Sequence, residues 1–215
     1  MKILICGVGA IGSNLVRNLI PDLKGEHEIT VLDMDIVEKR NVTPGTQWFT
    51  PDQIGLPKVE ALQYNVYQTF QREVEPLYKN FPDGNWENDK LDDENVPSLW
   101  GAVGVYDLVI DCFDNHQARK NLQDSWRDEK NELPEETASL LHIGFSDQFT
   151  FEIEWAENYQ VPTDITTGMD ICEMEGAAGF VNSVAALGAL VVEKFIWNHD
   201  KMRVLGGKYQ RSFVS

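Results

Sequence analysis

The chain has 215 residues, a length that one α/β domain with its own hydrophobic core can reach. Its 35 acidic residues outnumber 18 basic ones, and a net charge of −17 excludes the basic face that a nucleic-acid binder needs. Three cysteines without CxxC spacing and four scattered histidines exclude a disulfide framework and the common zinc motifs. We therefore expect a single domain over residues 1–215.

The location of the protein is predicted from two further features of the sequence. No basic segment followed by an apolar segment opens the chain, so we expect a cytoplasmic protein rather than a secreted one. The most apolar run, residues 176–192, is shorter than about 18 apolar residues and contains Asn182 and Ser183. This run predicts a buried helix, and we expect neither a membrane nor a nucleic acid as partner.

Predicted strands and helices alternate along the first part of the chain. The predicted strands are 2–6, 29–33, 74–78 and 107–112, and the predicted helices are 10–20, about 55–71 and 115–127. Strands at 139–145 and 149–155, the apolar helix and short terminal strands follow, while the polar stretches 82–95 and 127–136 are interpreted as solvated loops. The pattern predicts an α/β fold: a Rossmann-like, doubly wound, mostly parallel sheet with extra C-terminal antiparallel strands.

A glycine-rich turn joins the first predicted strand to the first helix. Gly7, Gly9 and Gly12 form GxGxxG there, with Ala10 and Ile11 between them. This pattern suits a tight turn and a close approach of the backbone to phosphate at a helix N-terminus. Asp33 ends the second strand, where an acidic side chain accepts hydrogen bonds from ribose hydroxyls. Together these residues predict an adenosine nucleotide; the alternative is that the glycines only serve helix packing.

A plain NAD site leaves two later segments, 33–62 and 107–119, unexplained. With the glycines they resemble the ThiF/MoeB-like adenylyltransferases, whose fold is shared with ubiquitin-activating enzymes. Segment 172–196 also resembles the Cys-xxx-Gly segment and late helix of that family. The residues that match the family pattern are, in chain order, Gly7, Gly9, Gly12, Asp33, Asp35, Val37, Asn41, Gln47, Gly55, Lys58, Asp114, Asn115 and Arg119.

The resemblance implies an ATP-dependent adenylyltransferase. In the family, a C-terminal carboxylate attacks the α-phosphate of ATP and gives an acyl-adenylate and pyrophosphate. The acceptor is usually a ubiquitin-like or sulfur-carrier protein ending in Gly-Gly, or a peptide, and the adenylating domains pair as dimers. A carboxylate with a pKa near about 4 is already ionised, so the main task of the site is to offset negative charge.

The resemblance also implies a role for each matching residue. Lys58 would neutralise the departing phosphates, and Asp114 would hold Mg²⁺, a hard cation that takes carboxylate and phosphate oxygens. The other implied roles are ribose binding by Asp33, phosphate orientation by Asn41 and Gln47, further nucleotide contacts by Asp35 and Asn115, and bracing of the Asp-Asn turn by Arg119.

The sequence also departs from the family pattern. Thr46 stands where the family has an arginine before Gln47, and Arg40 is the expected substitute. No helix carrying an intersubunit arginine precedes the first strand, and the zinc-binding CxxC pairs of many relatives are missing. Cys172 matches a working cysteine of sulfur-transfer relatives, which leaves a thioester or sulfur-relay role open. Cys6 and Cys112 are interpreted as small core residues.

Three other functions stay open at the level of sequence. An NAD-dependent oxidoreductase explains Gly7 to Asp33 but gives Lys58 and Asp114 no role. A catalytically weakened subunit of a heterodimer explains the missing arginines. A metal-dependent ATPase that needs no acceptor is the third.

Overall fold

The structure, a computed structural model, describes residues 1–23, 25–79, 106–132, 138–146, 149–162, 174, 176–198 and 207–208. Cys172 and the acidic stretch 82–95 lie outside the described residues, so the expectations about them stay predictions.

Seven described strands form one sheet. They are β1 (Lys2–Cys6), β2 (Glu28–Asp33), β3 (Glu75–Tyr78), β4 (Leu108–Asp111), β5 (Ser139–Phe145), β6 (Thr150–Trp155) and β7 (Gly207–Lys208). Their order is β3-β2-β1-β4-β5-β6-β7, with parallel pairing from β3 to β5 and antiparallel pairing of β6 and β7. The predicted fold class is confirmed. The carboxyl ends of β1, β2 and β4 consequently meet at one edge, where such sheets bind ligands.

Helices cover both faces of the sheet. They are α1 (Ala10–Leu19), α2 (Lys58–Phe70), α3 (His116–Glu132) and α4 (Ala177–Asn198). One hydrophobic cluster joins α1, α2 and α4 to alternate strand residues such as Ile3 and Ile5. A second cluster joins Leu122 and Trp126 of α3 to the opposite face, through residues such as Leu4. The alternation of side chains along each strand thus gives both faces an apolar surface to bury.

Helix α3 is longer than the sequence predicted. It continues to Glu132, so residues 127–132 are helical, and the interpretation of this part as a solvated loop is wrong. The physical reason is that Lys130, in the last turns of the helix, finds partners on both sides. Lys130 lies 4.7 Å from the Trp126 ring centroid and 3.2 Å from a Glu157 carboxylate oxygen. Lys120 and Asp124 form a further ion pair one helical turn apart.

The apolar run forms the long helix α4, which packs along α1. By length and composition alone this helix could cross a membrane. Its inner face is nevertheless buried in the core through Val181, Val184 and Val192. Gly188 allows α4 to approach β5 closely, because a Cβ there would lie 2.7 Å from the Ile143 Cδ1 atom. We therefore interpret α4 as the core helix that the sequence predicted.

Candidate nucleotide-binding site

The glycine loop is held in shape by two of its glycines. Gly7 has a φ of +87°, and its N–H donates to the Leu32 carbonyl at 2.8 Å. A Cβ on Gly12 would lie 1.9 Å from the Gly7 carbonyl oxygen, whereas a Cβ on Gly9 would meet nothing within 4 Å. Gly9 directly precedes α1, so open space lies beside the N-terminus of this helix. Gly7 and Gly12 are therefore needed by the fold, whereas Gly9 leaves room for a ligand.

This difference predicts opposite results for two alanine substitutions. We expect Gly9→Ala to keep the stability of the fold within about 1 kcal/mol and to weaken nucleotide binding, because its methyl group enters the space beside α1. Gly12→Ala should lower the unfolding temperature strongly, since its methyl group would overlap the Gly7 carbonyl. Thermal unfolding and nucleotide titration of both variants check this. A destabilised Gly9→Ala protein would contradict the assignment of that space to a ligand.

Asp33 connects the glycine loop to the following segment. Its carboxylate accepts the Val8 N–H at 2.6 Å through one oxygen and the Asp35 N–H at 2.8 Å through the other. Burial raises the pKa of Asp33, although the positive charge of Lys58 and the two N–H donors act in the opposite direction. Each carboxylate oxygen retains a second lone pair. Each Asp33 oxygen can therefore accept one further hydrogen bond.

Lys58 is a buried cation at the start of α2. Only 7% of the residue is exposed, and its Nζ donates to the Asp35 carboxylate at 2.8 Å. The backbone closes the same contact, because the Lys58 N–H donates to the Asp35 carbonyl at 2.9 Å. Ile36 and Pro57 form an isolated antiparallel bridge beside it. The chain between Asp35 and Lys58 is thus a closed loop that brings the ammonium group to the end of β2.

A cleft of about 260 Å³ opens beside this ion pair. It is lined by Met34, Asp35, Ile36, Glu38, Arg40, Asn41, Lys58 and Tyr78. Arg40 Nε donates to the Glu38 carboxylate at 2.6 Å, and the Asn41 side-chain oxygen accepts the Glu38 N–H at 2.8 Å. The structure therefore brings four predicted site residues together, namely Asp35, Arg40, Asn41 and Lys58.

The loop that contains Gln47 is fastened to the helices behind it. Asn14 of α1 donates its side-chain amide to the Thr46 carbonyl at 3.0 Å, and Asn182 of α4 donates to the Gly45 carbonyl at 2.8 Å. The Trp48 N–H donates to the Ser13 hydroxyl at 3.1 Å. Thr46, which stands in place of the family arginine, is buried. Thr46 therefore supports the loop and does not line the cleft.

The Asp-Asn turn follows β4, next to the glycine loop. A Cβ on Gly7 would lie 2.8 Å from the Cys112 carbonyl oxygen, which shows how close the two turns are. Asp114 is exposed, and the Asn115 side-chain oxygen accepts the Ala118 N–H at 2.7 Å as the cap of α3. Arg119 Nε donates to the Phe113 carbonyl at 2.6 Å. Arg119 thus makes the bracing contact that the resemblance implied.

One buried polar cluster was not found by sequence analysis. His142 on β5 lies between Asp111 on β4 and Glu152 on β6, on the face of the sheet that α3 covers. No motif contains these three residues. The available signal is that polar residues interrupt the apolar strands LVID and SLLHIGF.

The metal-binding and thiol groups of the site are few. Across the described ranges, no cluster of three or more His, Cys, Asp or Glu side chains could hold a metal ion. Asp114 is the exposed carboxylate that the Asp-Asn turn offers. Cys6 and Cys112 are buried as predicted, and burial raises the pKa of both thiols well above the ordinary value. These two thiols are therefore core residues and not nucleophiles.

The parallel sheet, the glycine loop and Asp33 define a Rossmann-type fold with the geometry of a nucleotide site. The ThiF family model matches residues 1–210, and the chain belongs to the ThiF family. A comparison with curated proteins found no match.

Several solved structures share the fold. Escherichia coli MccB with ATP is 22% identical, with a TM-score of 0.62 over 97% of this chain and 60% of that chain. MccB with MccA-N7isoASN is 20% identical, with a TM-score of 0.64 over 97% of this chain and 61% of that one. TcdA (CsdL) is 25% identical, with a TM-score of 0.50 over 68% and 50%. The chain thus spans about 60% of the length of MccB.

Proposed function

We propose that this protein is an ATP-dependent adenylyltransferase that activates the C-terminal carboxylate of a peptide or small protein. The observation that carries the proposal is the buried ammonium group of Lys58, held at the end of β2 beside Asp33 and a cleft of about 260 Å³. Membership of the ThiF family supports it, as do the MccB structures with ATP and with MccA-N7isoASN.

The reaction places its main burden on charge. An oxygen of the acceptor carboxylate attacks the α-phosphorus of ATP, and the bond from that phosphorus to the bridging oxygen of the β-phosphate breaks. Pyrophosphate leaves with the electron pair, and the acceptor becomes an acyl-adenylate. No proton has to be removed, because a carboxyl group with a pKa near about 4 is ionised at neutral pH. The site must therefore bring two anions together and offset the charge of the leaving group.

The residues at the sheet edge divide this work. The glycine loop and the N-terminus of α1 offer backbone N–H groups to the phosphates, and Asp33 accepts the ribose hydroxyls. Lys58 exchanges Asp35 for phosphate oxygens. Arg40, Asn41 and Gln47 orient the phosphates. Arg40 contributes the positive charge that an arginine before Gln47 supplies in the family.

Asp114 is the residue we assign to a Mg²⁺ ion. Mg²⁺ in such sites commonly keeps phosphate oxygens and waters and takes one or two protein carboxylates, so an exposed aspartate at a strand end suffices. When bound, the ion would spread the negative charge of the triphosphate. We also propose a dimer, homomeric or heteromeric, and an acceptor of the ubiquitin-like or sulfur-carrier class ending in Gly-Gly, or a free peptide.

The ligand preference separates this function from that of an NAD-dependent oxidoreductase. In calorimetry we expect the wild-type protein to bind Mg·ATP and to show no comparable affinity for NAD, because NAD has no triphosphate whose charge the Lys58 ammonium and an Asp114-bound Mg²⁺ would offset. Tight NAD binding that survives both Lys58→Ala and Asp114→Ala would overturn the adenylyltransferase proposal.

The acceptor chemistry is checked in a separate assay of pyrophosphate release. Pyrophosphate release should require an acceptor with an ionised C-terminal carboxylate, and the same acceptor blocked as a C-terminal amide should give only background release. Equal release with no acceptor at all would favour a metal-dependent ATPase.

A further inference from the structure

His142 is enclosed by charged groups in the interior of the sheet. Its ring is 1% exposed, with Nδ1 2.8 Å from an Asp111 carboxylate oxygen and Nε2 3.2 Å from a Glu152 carboxylate oxygen. The Tyr159 ring stacks on the imidazole, with centroids 3.9 Å apart and an interplanar angle of 11°. The ring can therefore neither turn nor exchange its partners without moving several side chains.

Arg119 of α3 completes the surroundings of His142. A Cβ on Gly144 would lie 2.6 Å from His142 Nε2 and 3.5 Å from Arg119 Nη2, so both groups approach the same point on β5. The groups that face His142 are thus Asp111 from β4, Glu152 from β6, Arg119 from α3 and Tyr159 from the turn after β6. Burial raises the pKa of Tyr159, so its phenol stays neutral.

The cluster is bonded directly to the turn that carries Asp114. While one Asp111 oxygen bonds His142, the other accepts the Phe113 N–H at 3.0 Å. The Phe113 carbonyl accepts from Arg119 Nε at 2.6 Å. Phe113 is therefore held through both its N–H and its carbonyl group, and Asp114 is the next residue. Any movement of Asp111 is passed through one hydrogen bond to this turn.

We propose that His142 is a positioning residue for Asp114: in its protonated form it donates to Asp111 and Glu152 at once and so fixes the turn at residues 113–115. The proposal rests on the proposed function, since it was Asp114 that was assigned to nucleotide-bound Mg²⁺. It adds a residue on β5 that does not face the nucleotide and acts on the site through Asp111.

The proton decides how many carboxylates His142 can bind. An imidazolium has two N–H donors, whereas the neutral ring has one, so deprotonation leaves one carboxylate facing a lone pair. Burial acts to lower the pKa of His142, but Asp111 and Glu152 outweigh it and the net shift is upward. A group with a raised pKa contributes stability that is fully present below its ordinary value, about 6.5, and is lost as pH rises through the raised value. We therefore expect the turn to loosen on the alkaline side.

The first test uses NMR on the protein without nucleotide. The ring of His142 and the backbone amide of Phe113 should titrate with one shared midpoint above about 6.5, and His142→Gln should remove that midpoint from the Phe113 signal. His27, which lies at the other end of the sheet before β2, serves as the control histidine. A Phe113 amide that does not follow the His142 titration would overturn the proposal.

A second variant covers the case in which His142→Gln does not fold. Glu152 is about one-third exposed, so Glu152→Gln should keep the fold. It removes one of the two carboxylates that hold the proton on His142. The midpoints of His142 and Phe113 should then move together toward lower pH. A shift of the His142 midpoint alone would count against the coupling.

The final arm adds Mg·ATP. If protonated His142 favours the binding-competent turn, then by reciprocity Mg·ATP must favour protonated His142, by about fivefold or more in proton affinity. The rise in the His142 midpoint should disappear in Asp114→Ala and in ATP with a chelator. An unchanged midpoint with Mg·ATP bound would overturn the proposal. Failure of Mg·ATP to bind in calorimetry would instead overturn the proposed function, and the nucleotide-free titration would still decide the role of His142.

Discussion

Lys58→Ala is expected to slow acceptor-dependent pyrophosphate release by about 100- to 1,000-fold, which corresponds to roughly 3 to 4 kcal/mol of transition-state stabilisation. The reason is that the Lys58 ammonium is buried and already aimed at the cleft, where the charge of the leaving pyrophosphate grows. Steady-state release of pyrophosphate at saturating Mg²⁺ and acceptor measures the effect.

Two controls separate this loss from misfolding. Lys39 is exposed in the neighbouring 3-10 helix, Lys39–Val42, so Lys39→Ala should leave the rate nearly unchanged. The Lys58→Ala protein should stay folded, because its former partner Asp35 is more than half exposed and can be solvated. A folded Lys58→Ala protein with full activity would show that this ammonium takes no part in the reaction.

Asp114→Ala is expected to lose activity by a similar factor, about 100- to 1,000-fold, but with a different dependence on metal. Asp114 is the residue assigned to Mg²⁺, so the variant should also require a higher Mg²⁺ concentration for half-maximal rate. Lys58→Ala should not show this change. The rate measured as a function of Mg²⁺ concentration therefore distinguishes the two roles.

Asp128 provides the matched carboxylate control for this experiment. It is exposed on α3, the helix that follows the Asp-Asn turn, so Asp128→Ala removes the same charge away from the sheet edge. Its rate and Mg²⁺ requirement should equal those of the wild type. An Asp114→Ala protein that behaves like Asp128→Ala would refute the assignment of the metal to Asp114.

The parts of the site that sequence could predict are those defined by local pattern. The glycine loop lies within six residues between a strand and a helix, and its turn geometry follows from the glycines themselves. Asp33 was predicted as a site residue because it ends the second of the strands that alternate with helices. The mostly parallel sheet followed from the alternation of strands and helices, since parallel neighbours need crossovers.

The parts that sequence could not predict depend on contacts between distant segments. His142 meets Asp111 and Glu152 only because β4, β5 and β6 lie side by side, and no local pattern encodes that register. Likewise, the resemblance named both Asp35 and Lys58, but their ion pair depends on the bridge between Ile36 and Pro57. The end of α3 was missed because its last turns are polar and lack an apolar periodicity, and Lys130 there pairs with Glu157 of a distant segment.

In the Asp35–Lys58 ion pair, the Asp35 carboxylate competes with an anionic ligand for the Lys58 ammonium. Any anion that reaches the buried ammonium must displace a carboxylate that is already hydrogen-bonded to it at 2.8 Å. A lone phosphate or sulfate ion gains little from this exchange, because it makes few other contacts. Under the proposed function, a nucleotide gains contacts at Asp33 and at the glycine loop in the same event. Since specificity is a difference between affinities, the internal carboxylate lets the lysine discriminate between a whole nucleotide and the small anions of the cell.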